Sequence, residues 1–149
     1  MFKVCIVGHG NYPSGVCSAL KLLSGNDEGI HYFDLDHQLT HEEYEKQLTL
    51  FLEENDKVLI FADMTGGAPH QIATRLIVSL EKTSQYIVSS VSLNLILDMT
   101  MKNSMQLLGV DNIELELAKS IEESKEMVMV MPESSETIEN TEEIVDEGI

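Results

Sequence analysis

Apolar and polar residues change rhythm along this chain at regular intervals. The unbroken runs Val4-Cys5-Ile6-Val7 and Val58-Leu59-Ile60-Phe61-Ala62 read as strands buried on both faces. Between them, apolar residues fall at helical spacing. Val16, Ala19, Leu20 and Leu23 predict a helix from about Ser14 to Ser24, with Gly25 as its stop. Leu48, Phe51 and Leu52 predict a second helix reaching about Glu54. It opens on Thr40, with Glu43 three residues on completing a capping box. Ile30–Asp34 supplies a strand between these helices, and Gln85–Ser90 a fourth. Helices are predicted from about Pro69 to Leu80 and over Leu93–Met101, Pro69 fitting a first turn where its missing N–H costs nothing. Strand and helix thus alternate four times with short connections. That rhythm predicts an α/β fold: a doubly wound, mainly parallel four-stranded sheet with helices on both faces.

The rhythm then breaks. Asn112–Glu126 carries Ile113, Leu117, Ala118 and Ile121 at helical spacing, and five apolar residues, Met127–Met131, follow at once. That run either finishes the helix or forms a fifth strand. Pro132 opens an acidic segment expected to be disordered. The chain therefore divides into one domain over residues 1–131 and a tail over 132–149, with no internal repeat.

Charge narrows the partners. The formal net charge is −17. Seven acidic residues and no basic one lie in 132–149, and subtracting them leaves −10 for the body. Such a surface repels a phosphate backbone, so nucleic acid is not a partner. The tail's charge serves solubility, with steering of a basic protein as the alternative. No apolar stretch approaches the ~18–20 residues of a membrane span, and the first strand begins without a signal segment. Cys5 and Cys17 read as buried free thiols, which suits a reducing cytoplasm.

The chemistry concentrates at two strand ends. His9 stands in Gly8-His9-Gly10 after the first run, and Asp63 ends the third strand before Met64-Thr65-Gly66-Gly67-Ala68-Pro69. In open α/β sheets ligands bind outside the carboxyl ends of the strands, where strand order reverses. If strands one and three are neighbours, a carboxylate can hold one nitrogen of the imidazole and leave the other as a nucleophile. Gly10, Asn11, Thr65, Gly66 and Gly67 precede helices, so their N–H groups are candidates for holding phosphoryl oxygens. His70 lies within reach of this site, with its role open. His37 and His41 are four apart but straddle the cap Thr40, and read as surface residues rather than metal ligands. Gly8-His9-Gly10-Asn11-Tyr12-Pro13 imitates a dinucleotide fingerprint, with Asp34 in the place of a ribose-binding acid, but Pro13 stands where the third glycine belongs. The methionines Met99, Met101 and Met105 read as core filling.

On Ile6-Val7-Gly8-His9-Gly10 with Gly15, and Phe61-Ala62-Asp63-Met64-Thr65-Gly66-Gly67-Ala68-Pro69, the chain resembles the enzyme IIA components of the mannose-type sugar phosphotransferase family. The second motif is the more specific, because aspartate, double glycine and proline stand in fixed register. The chain departs from the family at Pro13, Ser14, His70, Ser92 and Asn94. The resemblance implies a phosphotransferase with a phosphohistidine intermediate and no cofactor or metal. His9 would carry the phosphoryl group on its outer nitrogen while Asp63 holds the inner one. The implied partners are the histidine-containing phosphocarrier protein, a IIB component and, indirectly, the IIC and IID membrane components. The implied location is cytoplasmic, peripheral to the membrane through that complex. The resemblance also implies a homodimer in which a late strand, here Met127–Met131, crosses antiparallel to the partner's sheet. Alternative readings are the phosphotransfer subunit of a dihydroxyacetone kinase and a nucleotide-binding regulatory module.

Overall fold

The computed structural model describes residues 1–133, so most of the acidic tail lies outside the described residues. Its elements are β1 (Lys3–His9), α1 (Tyr12–Ser24), β2 (Ile30–Leu35), α2 (His41–Glu54), β3 (Lys57–Ala62), α3 (Ala68–Leu80), β4 (Ser84–Ser89), α4 (Leu93–Ser104) and α5 (Ile113–Glu126). The sheet has the order β2-β1-β3-β4, and every pairing is parallel. The expected doubly wound, four-stranded architecture is therefore the one observed.

Strand alternation sorts the core into two layers. Val4 and Ile6 of β1, with Leu59 and Phe61 of β3, face α1, α4 and α5. Cys5 and Val7, with Val58, Ile60 and Ala62, face α2 and α3. Both central strands are thus apolar on both sides, as their sequence runs require. Cys5 and Cys17 fall in opposite layers as free, buried thiols. Burial pushes the Cys17 thiol up to about 11, which keeps it protonated and inert.

Several faces differ from the periodicity-based expectation. In α1 the buried positions are Pro13, Cys17 and Leu20, while Leu23 is 56% exposed. In α5 Ser120 is buried and Ala118 is exposed. Ser120 accepts its place because it donates to Asp98 Oδ2 and receives from Lys102, which also pairs with Asp98 and Glu116. A polar network between α4 and α5 here overrides the apolar phase. Met99 is core, but Met101 and Met105 are exposed, contrary to the reading of all three as core filling. Thr40 caps α2 through the Glu43 N–H at 3.3 Å, yet the Glu43 carboxylate receives Gln47 instead of returning to Thr40. Only half of the capping box forms.

In the single chain Met127–Met131 neither continues α5 nor pairs with the sheet, and these residues are 54–79% exposed. At the other terminus the chain is tied down. The buried Asn103 side chain accepts from the Phe2 N–H at 2.9 Å and donates to the Phe2 carbonyl at 2.8 Å. Replacing Asn103 by Leu leaves both backbone groups buried and unpaired, at a cost of about 2–5 kcal/mol. Urea unfolding of Asn103→Leu should show a lower midpoint with an unchanged slope, and an unmoved midpoint would show that the Phe2 anchor contributes nothing.

Candidate functional site

The order β2-β1-β3-β4 places the reversal of winding between β1 and β3. The chain leaves β1 toward α1 on one face, and leaves β3 toward α3 on the other. In open α/β sheets, ligands bind at such points of reversal. His9 ends β1, and Asp63 is the first residue beyond β3. The Asp63 N–H continues the ladder by donating to the Val7 carbonyl at 3.1 Å. The two side chains meet because their strands are neighbours in register.

Asp63 Oδ2 accepts from the His9 backbone N–H and from the His9 ring Nδ1, each at 2.8 Å. Asp63 Oδ1 accepts from the Met64 N–H at 2.7 Å. Burial on its own pushes the Asp63 carboxyl up, but the His9 N–H, the His9 ring and the Met64 N–H outweigh it and hold the group below the usual aspartate range. An ionised carboxylate only accepts, so the neutral imidazole carries its proton on Nδ1. Nε2 is left with its lone pair. The His9 side chain is 48% exposed while that of Asp63 is 12% exposed, so the imidazole is open to solvent and its partner is not.

Glycines bring the loops this close. A Cβ at Gly8 would stand 2.9 Å from both Asp63 Cγ and Tyr12 Cδ1. A Cβ at Gly67 would stand 2.7 Å from His9 Cε1 and 3.5 Å from His9 Nε2. The Gly67 backbone therefore lies against the imidazole edge, at the N-terminus of α3. Gly66 adopts φ +87°, which a side chain would resist.

Of the proposed anion donors, three have their N–H groups engaged within the chain. Gly10 donates to the Leu35 carbonyl at 2.9 Å, Thr65 to Ser90 Oγ at 2.9 Å, and Gly66 to His70 Nδ1 at 3.1 Å. These amides shape the loops. Among the described residues the amides of Asn11 and Gly67 have no such acceptor, and the N–H groups of the first helical turn are open by geometry. Of the five residues, Gly67 packs directly against the His9 ring, and among the described residues Asn11 and Gly67 keep their N–H groups free.

Pattern reading missed Tyr12, Ser89 and Ser90. Thr65 Oγ1 shares hydrogen bonds with Ser89 Oγ at 2.6 Å and Ser90 Oγ at 2.9 Å. Ser90 sits at φ +56°, and its contacts with Thr65 compensate a conformation that favours glycine. A serine pair at the end of the strand beside β3 was the available signal, once the strand order was known. Asp34 accepts the Ser14 N–H at 2.9 Å, so it caps α1 rather than standing ready for a ribose. Ser92 caps α4 through the Leu95 N–H. His37 and His41 are exposed, and among the described residues no three metal-binding side chains cluster. A shallow groove of about 600 Å³ runs from Thr65 and Gly66 past His70 along α3 to Val78 and Ser79, beside His9 rather than over it.

This fold is shared. The family model of the PTS system fructose IIA component, EIIA-man, matches residues 3–114, and the chain belongs to that family. It is a IIA component of the mannose and fructose type in a phosphotransferase system. The phosphotransferase system component EIIA from Streptococcus agalactiae superposes with a TM-score of 0.75 at 23% identity, covering 87% of this chain and 97% of that one. The mannose/sorbose specific IIA subunit from Enterococcus faecalis gives 0.70 at 14% identity, covering 90% and 97%. A sigma-54 interaction domain protein from Enterococcus faecalis gives 0.65 at 16% identity, covering 82% and 91%. At these identities the superpositions define the fold alone. No curated protein sequence matches the chain.

Gly67 offers a clean steric probe, because its φ of −71° and ψ of 163° suit alanine. Gly67→Ala should displace the His9 ring and weaken its bond to Asp63 without straining the backbone. The His9 Nδ1 proton resonance should shift or broaden. An unchanged resonance would show that Gly67 is not needed for the close approach.

Proposed function

We propose that the chain is the phosphoryl carrier of a sugar phosphotransferase system, with His9 Nε2 as the acceptor atom. The observation that carries this is the His9–Asp63 pair. Its hydrogen bonds fix the proton on Nδ1 and leave a lone pair on Nε2 of a half-exposed side chain. The Nε2 lone pair attacks the phosphorus of the phosphocarrier's phosphohistidine. The new N–P bond forms as the old one breaks, and its electron pair stays on the leaving imidazole. Asp63 stabilises the cation that develops on the His9 ring. The transferred phosphoryl oxygens lie near Gly10, Asn11 and the Thr65–Gly67 turn, where open N–H groups and the positive end of α3 offset their charge. The second transfer, to a IIB component, repeats the exchange with His9 as the leaving group.

This role needs no metal or cofactor from the chain. It places the protein in the cytoplasm, drawn to the membrane through the IIC and IID components. Among the described residues no helix is long and apolar enough to cross a membrane. His9→Ala should abolish acid-labile phosphate incorporation from phosphoenolpyruvate through the phosphocarrier, with the fold intact. Asp63→Asn should slow transfer by about 10²–10⁴-fold. Label mapped by mass spectrometry to His31, His37, His41 or His70 would overturn the assignment.

The same reading includes a homodimer in which Met127–Met131 crosses to a partner and pairs antiparallel at its sheet edge. Its support is the exposure of all five residues in the single chain, beside a sheet whose β2 and β4 edges are unpaired. Exposed apolar segments of this kind are aggregation hazards unless covered, and exchange of an identical element covers them. A chain ending at Lys125 should sediment as a monomer or precipitate, whereas one ending at Pro132 should remain dimeric. A soluble, fully dimeric chain without Met127–Met131 would show that another surface joins the subunits.

A further inference from the structure

His9 and His70 flank one loop, and their hydrogen bonds demand opposite tautomers. His9 donates from Nδ1 to an ionised carboxylate and keeps Nε2 bare. His70 does the reverse. Its Nδ1 accepts the Gly66 N–H at 3.1 Å, so Nδ1 carries no proton and the neutral ring is protonated on Nε2. His70 is the third residue of α3 and is half-buried, facing the groove that leads away from the site.

The loop between them is clamped peptide by peptide. The Thr65 N–H is held by Ser90 Oγ, and the next N–H, that of Gly66, is held by His70. The amide after that belongs to Gly67, whose α-carbon lies against the Cε1–Nε2 edge of His9. Gly66 has no side chain to steady it, and its φ of +87° lies where glycine moves freely. Without an acceptor for its N–H, the hinge before Gly67 is unrestrained on the side of the reacting nitrogen.

Building on the carrier role proposed above, we infer that His70 is a positioning residue for phosphoryl transfer. Its acceptor nitrogen locks the Gly66 peptide and with it the position of Gly67, which packs against the His9 ring. It does not compete as a nucleophile, because its accessible nitrogen is the protonated one. Asparagine is the conservative replacement, since its Oδ1 hangs from Cγ as Nδ1 does and accepts the same N–H. Leucine fills comparable space with no acceptor.

Long-range ¹H–¹⁵N spectra of the full chain, recorded above the ordinary imidazole range, should show His9 protonated on Nδ1 and His70 protonated on Nε2. This reading does not depend on any transfer reaction. With the wild-type chain and phosphorylated phosphocarrier, His70→Leu should lower the single-turnover rate about 10- to 100-fold with an unchanged KM, the scale expected for misplaced reacting groups. The Gly66 amide should shift toward solvent-exposed values in the same variant. His70→Asn should restore both the amide shift and most of the rate. His70 protonated on Nδ1, or a leucine variant transferring at the wild-type rate, overturns the inference. A raised KM at constant turnover also overturns it, making His70 a docking contact. A wild-type chain that takes no phosphoryl group overturns the carrier reading itself and removes the step that His70 serves, whatever the tautomers.

Discussion

Asp63 Oδ2 accepts two hydrogen bonds from one residue, the backbone N–H and the ring Nδ1 of His9, each at 2.8 Å. The backbone bond orients the end of β1, and the ring bond orients the side chain leaving it. One atom therefore couples the sheet to the chemistry. It can do so only because β1 and β3 are adjacent parallel strands in register, Val7 opposite Ala62, with His9 and Asp63 just beyond that pair. A strand order that separated β1 from β3 would place the imidazole and the carboxylate on different parts of the sheet edge. The two-layer core follows the same constraint, since β1 and β3 are buried by helices on both faces and their register is held from both sides.

The loop after Asp63 combines freedom and restraint. Gly66 and Gly67 let the backbone approach the imidazole, which a side chain at Gly67 would block. Restraint comes from outside the loop, through the hydroxyls of Ser89 and Ser90 and the ring of His70. Ser90 holds a left-handed backbone conformation, and its hydrogen bonds with Thr65 offset that strain. Such strain, compensated locally, is what a site needs to stay open without drifting.

Over the whole chain the formal net charge is strongly acidic, at −17. In the carrier role, that field favours encounter with basic faces and disfavours other acidic proteins, an effect on rate and choice of partner more than on affinity. The groove along α3 opens beside His9. In the same role, a partner approaching the half-exposed His9 side chain would meet this face of the molecule.

The amino-acid sequence determined the alternation of elements, the two-sided burial of β1 and β3, and the position of His9 and Asp63 at strand ends. These follow from local rules: continuous apolar runs, helical spacing, and glycine after a strand. Helix faces were less legible, because Cys17 and Ser120 are buried for reasons of neighbours rather than of period. Asp34 gave no hint in the sequence that it would cap α1, a partner twenty residues away. The clamping of Thr65 by Ser90 and of Gly66 by His70 was likewise decided only by tertiary structure. Hydrogen bonds of this kind depend on which strands lie side by side and on where a short side chain ends. Periodicity along the chain carries neither quantity, so the placing of His9 and Asp63 at neighbouring strand ends was readable from sequence and the devices that hold their surroundings were not.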